Sequence, residues 1–242
     1  MLRIIIFIAV LALFTGCKLD KVEPAQTKAF IKFFGDKGDT EARDLLKLDD
    51  GYILLGTNTY GDTITSTIVK TDLNGNTIWY SPLPDFDGSS LAKSNDSYFI
   101  IGDGINGIGT DIATSMMLIK TDLNGTIQTF DKIDPAGSDF LHGAGVTVSS
   151  LNEVVVSYYS DEDGADSLFL YGYDTSLNPA WSQIRKNGQS EISRHSSNKI
   201  FETSNPNEFV WATLNTPAAG DATINLQKAQ ADTESWLAGQ PL

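Results

Sequence analysis

The sequence predicts an all-β chain of repeated four-stranded units, arranged as the blades of a β-propeller. Three observations predict it. Ile68-Val-Lys-Thr-Asp-Leu-Asn-Gly75 returns almost unchanged as Leu118-Ile-Lys-Thr-Asp-Leu-Asn-Gly125, with worn copies at Leu170–Asn178 and Leu226–Asp232. A second landmark precedes each copy: Tyr52-Ile-Leu-Leu-Gly56, Tyr98-Phe-Ile-Ile-Gly102, Val154-Val-Val156 and Phe209-Val-Trp211. No segment carries a helical apolar period with caps at its ends.

Each unit reads as four strands in order. The first covers Asp44–Leu48 in the leading unit. A polar turn follows it: Asp49–Gly51, then Asn95–Ser97, Leu151–Glu153 and Asn205–Glu208 in the later units. The second strand is an apolar run without alternation, as expected of a strand covered on both faces. The third ends in Lys-Thr-Asp, where Gly75 and Gly125 supply the positive φ of a hairpin and Asp or Asn tolerates the same turn. The fourth carries an aromatic: Trp79, Phe130, Trp181 or Trp236. A four-stranded unit of about 50 residues fits a propeller blade, whereas an immunoglobulin-like sandwich takes about 100 residues per domain. A β-solenoid or paired sandwiches are the remaining arrangements. Phe30–Gly35 looks like the last strand of a preceding unit. The four repeats would then belong to an incomplete larger ring of six to eight blades; a four-bladed ring with an added strand is the other reading.

The pattern Asp-Gly-Tyr-Ile-Leu-Leu-Gly (residues 50–56), then Ile-Val-Lys-Thr-Asp-Leu-Asn-Gly-Asn-Thr-Ile-Trp (residues 68–79), resembles a propeller repeat of secreted and lipid-anchored proteins of Bacteroidetes-type bacteria. It also resembles the quinoprotein-type repeat, in which a tryptophan locks neighbouring blades. The resemblance implies a fold and says little about activity.

Ahead of the repeats, Met1 and Arg3 precede the unbroken apolar run Ile4–Phe14. That run is too short for a span of roughly 20 helical residues and fits the core of an export signal. Phe14-Thr15-Gly16-Cys17 resembles the bacterial lipobox, with Phe14 in place of the usual aliphatic residue. The resemblance implies cleavage before Cys17 and acyl chains on its sulfur. Cys17 is the chain's single cysteine, so no internal disulfide competes for it. The expected organisation is a signal peptide over 1–16, a lipidated cysteine and tether over 17–27, and the repeat domain over 28–242. Lys18 followed by Asp20 faintly resembles an export signal of surface lipoproteins. The expected place is the cell envelope, anchored to the outer membrane.

The 242 residues carry a formal charge of −14, which argues against a nucleic-acid partner. Up-down blades would gather many of the acids on one loop face: Asp36, Asp39, Glu41, Asp62, Asp85, Asp87, Asp103, Asp111, Asp139 and Glu191 among them. Asp161-Glu-Asp-Gly-Ala-Asp166 is the sharpest metal candidate, since Asp161, Asp163 and Asp166 around a glycine turn offer hard oxygen ligands for Ca²⁺, although the spacing departs from an EF-hand. No other cofactor is expected. Asp72–Asn76 and Asp122–Gly125 look like calcium-loop fragments, but their recurrence ahead of an aromatic marks them as structural hairpins. His142 and His195, with Asp139 or Glu191 nearby, lack any accompanying nucleophile motif. A sialidase-like site would need every remaining arginine of the exported chain: Arg43, Arg185 and Arg194. The tryptophans of the fourth strands read as packing between blades, and Trp211 as core.

These features put a non-enzymatic binding module for protein or glycan first. An envelope-assembly scaffold follows, then a glycan-active enzyme using carboxylates and an arginine. The anchor itself is testable. A Cys17→Ser variant is expected to appear in the soluble fraction, still folded by circular dichroism; retention in membranes, or unfolding, would refute the separation of anchor from body.

Overall fold

The repeats of the sequence fold as blades of antiparallel strands. A computed structural model describes residues 38–106, 113–133, 141–160, 167–186, 199–215 and 223–230. Blade 1 holds β1 (Asp39–Lys47), β2 (Gly51–Tyr60), β3 (Thr63–Asp72) and β4 (Thr77–Pro84). Blade 2 holds β5 (Phe86–Lys93), β6 (Ser97–Asn106), β7 (Ala113–Asp122) and β8 (Ile127–Ile133). Blade 3 holds β9 (Leu141–Val148), β10 (Val154–Ser160), β11 (Ser167–Tyr173) and β12 (Pro179–Lys186). Blade 4 contributes β13 (Ile200–Glu202), β14 (Glu208–Asn215) and β15 (Thr223–Gln230). Within each blade sequence neighbours pair antiparallel, and a single parallel bridge, Thr65 to Phe86, joins blades 1 and 2. The signal segment, Cys17, the tether and Phe30–Gly35 lie outside the described residues.

Register repeats as faithfully as sequence. The first strand of each of the first three blades carries one extra residue at the same place: Arg43, Ser89 and Ala144. Such bulges bend the strand and re-aim its side chains. The hairpins between third and fourth strands also repeat. In blade 1 the Asp72 carboxylate accepts from the N–H groups of Asn74 and Asn76, both at 2.8 Å. Asp122 does the same for Asn124 and Thr126, and Asp174 for Ser176 and Asn178. These acids are spent on backbone donors, which agrees with the structural-hairpin reading. Gly75 and Gly125 take the positive φ that these turns require, but the third turn places Leu177 there at φ 66°. A left-handed leucine is strained, and burial of its side chain in the core of blades 2 and 3 offsets the strain.

Blade 2 shows why its second strand lacks alternation. Tyr98, Ile100 and Ile119 face blade 1, packing with Ile53, Leu55 and Ile68. Phe99, Ile101, Met116 and Leu118 face blade 3, packing with Val154, Val156 and Tyr158. In blade 1 the same run alternates in burial: Ile53 and Leu55 are enclosed, whereas Tyr52 and Leu54 are half-buried. Trp79 crosses from blade 1 to blade 2, its ring 6.3 Å from that of Tyr98 and pressed on Gly125, where a Cβ would stand 2.6 Å from the indole. Trp181 likewise meets Phe209 of blade 4 at 6.3 Å. Phe130 does not belong to this series. Trp79 pairs with Lys70 and Phe130 with Ile119, one position out of step, so the residue in the tryptophan column of blade 2 is Thr129. Phe130 stands instead in the column of Tyr80, and the two are 60% and 71% exposed. Trp236 lies outside the described residues.

The first strands β1, β5, β9 and β13 run side by side around a shared channel. By register Asp44, Ser90 and Gly145 occupy the same level on β1, β5 and β9, and Lys199, one residue ahead of β13, reaches it through its side chain. The Asp44 side chain is only 2% exposed. One of its oxygens accepts from the Leu45 N–H at 2.6 Å and from Lys199 Nζ at 2.5 Å. The other accepts from Ser90 Oγ at 3.1 Å and the Leu91 N–H at 2.8 Å. Four donors on two oxygens satisfy a carboxylate fully. Gly145 leaves the fourth side of this level free of a side chain. Removing one partner of a buried pair strands the others. Asp44→Ala is therefore expected to lower stability by about 3 kcal/mol in chemical denaturation, and Asp44→Asn by less, because it keeps one acceptor. An Asp44→Ala chain as stable as the parent would show that this level carries no weight.

Candidate functional site

Several acids assigned by sequence to loops sit on strands. Asp39 and Glu41 belong to β1, Asp87 to β5 and Asp103 to β6; only Asp62 and Asp85 of the described set fall in links. The sequence places the start of β1 at Asp44, five residues late. Its polar leading half, Asp39 to Arg43, has no apolar face because it borders the channel mouth instead of a neighbouring sheet.

That mouth is the strongest candidate site among the described residues. Glu41, Asp87 and His142 occupy one register level on β1, β5 and β9, each a step before the residue that precedes the bulge. The bulged residue Arg43 turns its guanidinium between the first two. Arg43 Nη2 lies 3.1 and 3.3 Å from the two oxygens of Asp87 and 3.2 Å from Glu41 Oε2. Arg43 and Asp87 are about one-third exposed and Glu41 is mostly exposed, so the group is open to solvent. Asp87 stands directly across from Asp103 in the β5–β6 ladder. Like charges facing each other are unfavourable, and Arg43 offsets this by neutralising Asp87. Close approach of these strands is enforced at Gly102, where a Cβ would meet the Asp87 carbonyl oxygen at 2.2 Å.

Asp161, Asp163 and Asp166, proposed for Ca²⁺, lie outside the described residues, as do Asp36, Asp111, Asp139, Glu191, Arg194 and His195. Among the described residues no three His, Cys, Asp or Glu side chains gather closely enough to hold a metal ion. The structure thus draws together Glu41, Arg43 and Asp87. The sequence places Glu41 and Asp87 on a loop face and Arg43 only among the three arginines of a sialidase-like site; the shared distance from the bulge in the repeat is the signal that links them.

No protein-family model and no curated protein matches the chain. Among solved structures it is similar to the GH32 β-fructofuranosidase of Bombyx mori, a mutant in complex with sucrose, with a TM-score of 0.53 at 12% identity, over 85% of this chain and 50% of that one. It also matches the apocarotenoid oxygenase of Synechocystis, with a TM-score of 0.41 at 11% identity, over 78% and 46% of the two chains. The fold is a β-propeller. The chain spans half the length of the fructofuranosidase. At this identity the likeness speaks for the fold alone. It nonetheless corrects the order of the functional readings: a non-enzymatic binding module stood first, and the counterpart with the higher TM-score is a sugar-processing enzyme. The physical reason for the misordering is that acids read as solvated loops meet on the inner strands.

One further acid is perturbed by its surroundings. Burial on β8 raises the pKa of Asp131, which stands near Tyr173 of blade 3. The folded chain then holds a proton there that the unfolded chain has lost, so stability falls as pH rises from the ordinary Asp range through the raised value. Asp131→Asn is expected to raise the melting temperature at neutral pH and flatten its dependence as pH rises above the ordinary Asp range. A lower melting temperature at pH 7 would refute the assignment.

Proposed function

We propose that the chain is a glycan-active propeller that hydrolyses glycosides at the channel mouth formed by Glu41, Arg43 and Asp87. The observation that carries the reading is the sharing of one guanidinium nitrogen by two carboxylates from adjacent inner strands. That contact holds two carboxylates side by side at one opening, the pairing of acids that glycoside hydrolysis uses. Asp87, gripped through both oxygens by Arg43, is the better oriented of the two and suits the nucleophile. Glu41, more exposed and held through one oxygen, suits the acid that protonates the leaving oxygen once substrate displaces water. The shared fold with a sugar-processing enzyme supports the choice of substrate class. The same proposal keeps the propeller outside the cytoplasm, in the cell envelope, held by lipid on Cys17.

Activity is tested on a panel of sucrose, fructosides and aryl glycosides. Asp87→Asn and Glu41→Gln are each expected to lower kcat by about 10²–10⁴-fold, with the circular dichroism spectrum unchanged. Failure of the parent chain to cleave any member of the panel, or rates in either variant equal to the parent's, would sink the reading.

A further inference from the structure

The channel has a second end, chemically opposite to the first. Beyond the level closed by Asp44 and Lys199, the four inner strands surround a cavity of about 280 Å³. Its walls are apolar, drawn from all four blades: Leu46, Leu48, Ala92, Val146, Val148 and Ile200. Phe201 forms part of the lip and is largely exposed. Three lysines from three blades also line it: Lys47, Lys93 and Lys199. Lys47 and Lys93 occupy the same register position on β1 and β5, opposite Tyr52 and Tyr98. Lys199 spends its charge on Asp44. The Lys93 ammonium donates only to a neutral carbonyl, that of Ser94 at 3.0 Å. Lys47 has no ion pair among the described residues. Asp50, whose direct ion pair is with Lys70, is near enough to feel the Lys93 charge but makes no direct contact with it. In a chain of net charge −14, two ammonium groups with no direct carboxylate contact beside an apolar hollow are a departure from the general pattern. No acid lines this cavity.

We infer that this end of the channel binds a small anionic ligand with an apolar body, an aryl or short alkyl carboxylate. Size agrees, since an apolar cavity of about 150 Å³ already admits benzene. The body would lie against Leu46, Val146 and Phe201, where it loses apolar surface to the walls at roughly 25 cal/mol per Å². Its carboxylate would sit between Lys47 and Lys93 at the solvent edge, so neither charge need be stripped of water completely. The buried Asp44 level separates this cavity from Glu41, Arg43 and Asp87. The inference therefore stands independently of glycoside hydrolysis.

Titration calorimetry of the full chain with phenylacetate, and with its neutral isostere phenylacetamide, tests it. Phenylacetate is expected to bind saturably with a stoichiometry of one, and phenylacetamide at least tenfold more weakly. Lys47→Gln combined with Lys93→Gln should weaken phenylacetate by at least tenfold. The matching pair Lys47→Arg and Lys93→Arg should restore most of the affinity. Both positions are exposed, and a thermal melt checks that each variant is folded. Absence of saturable binding by the parent chain, equal affinity for acid and amide, or undiminished binding in the glutamine variant would overturn the inference.

Discussion

The organisation of this propeller turns on one carboxylate. Asp44 leaves blade 1, accepts two hydrogen bonds from blade 2 and reaches the Lys199 ammonium of blade 4. A buried charge survives only where every lone pair is engaged and an opposite charge is near. Meeting that condition at one level requires three inner strands to hold their relative height and rotation. Gly145 brings no side chain to this level from β9. The apolar packing between blades is stronger in aggregate, but it is tolerant of small slips. The polar level sets the register of the ring.

This level also divides the channel into two environments. On one side β1 and β5 begin with acids and an arginine; on the other each ends with an aliphatic residue and a lysine. The division follows from strand direction, because all first strands run the same way and equivalent positions therefore reach the same end. A repeat that places an acid early in its first strand and an apolar residue late in it builds two unlike mouths without any dedicated insertion. The two mouths could then be altered separately.

Much of the architecture was legible in the chain. The paired segments ending at Gly75 and Gly125 set the period, and the turn acids Asp72, Asp122 and Asp174 hold the hairpins that their spacing implied. The unalternating run Tyr98–Ile101 correctly announced a strand with neighbours on both faces. Two kinds of information were not local enough to read. The leading half of β1 is polar because its surroundings are a channel mouth, so a periodicity argument ends the strand too soon. The placement of Phe130 depends on pairing partners, and a shift of one residue moves it from the column of half-buried Trp79 to that of exposed Tyr80. The meeting of Glu41 with Asp87 likewise rests on the alignment of two bulges, which becomes visible only when the ladders are compared.

The strand order has a mechanical consequence. Contacts inside a blade join residues near in sequence, and the packing of blades 1 with 2 and 2 with 3 joins successive units. Such contacts form quickly because little chain must be closed to make them. The ion pair of Asp44 with Lys199 instead spans the first and fourth blades, so its loop is the most costly to close. It acts as a clasp on a string of otherwise self-sufficient links: the last to fasten as the chain collapses, and the first to part when the ends are pulled.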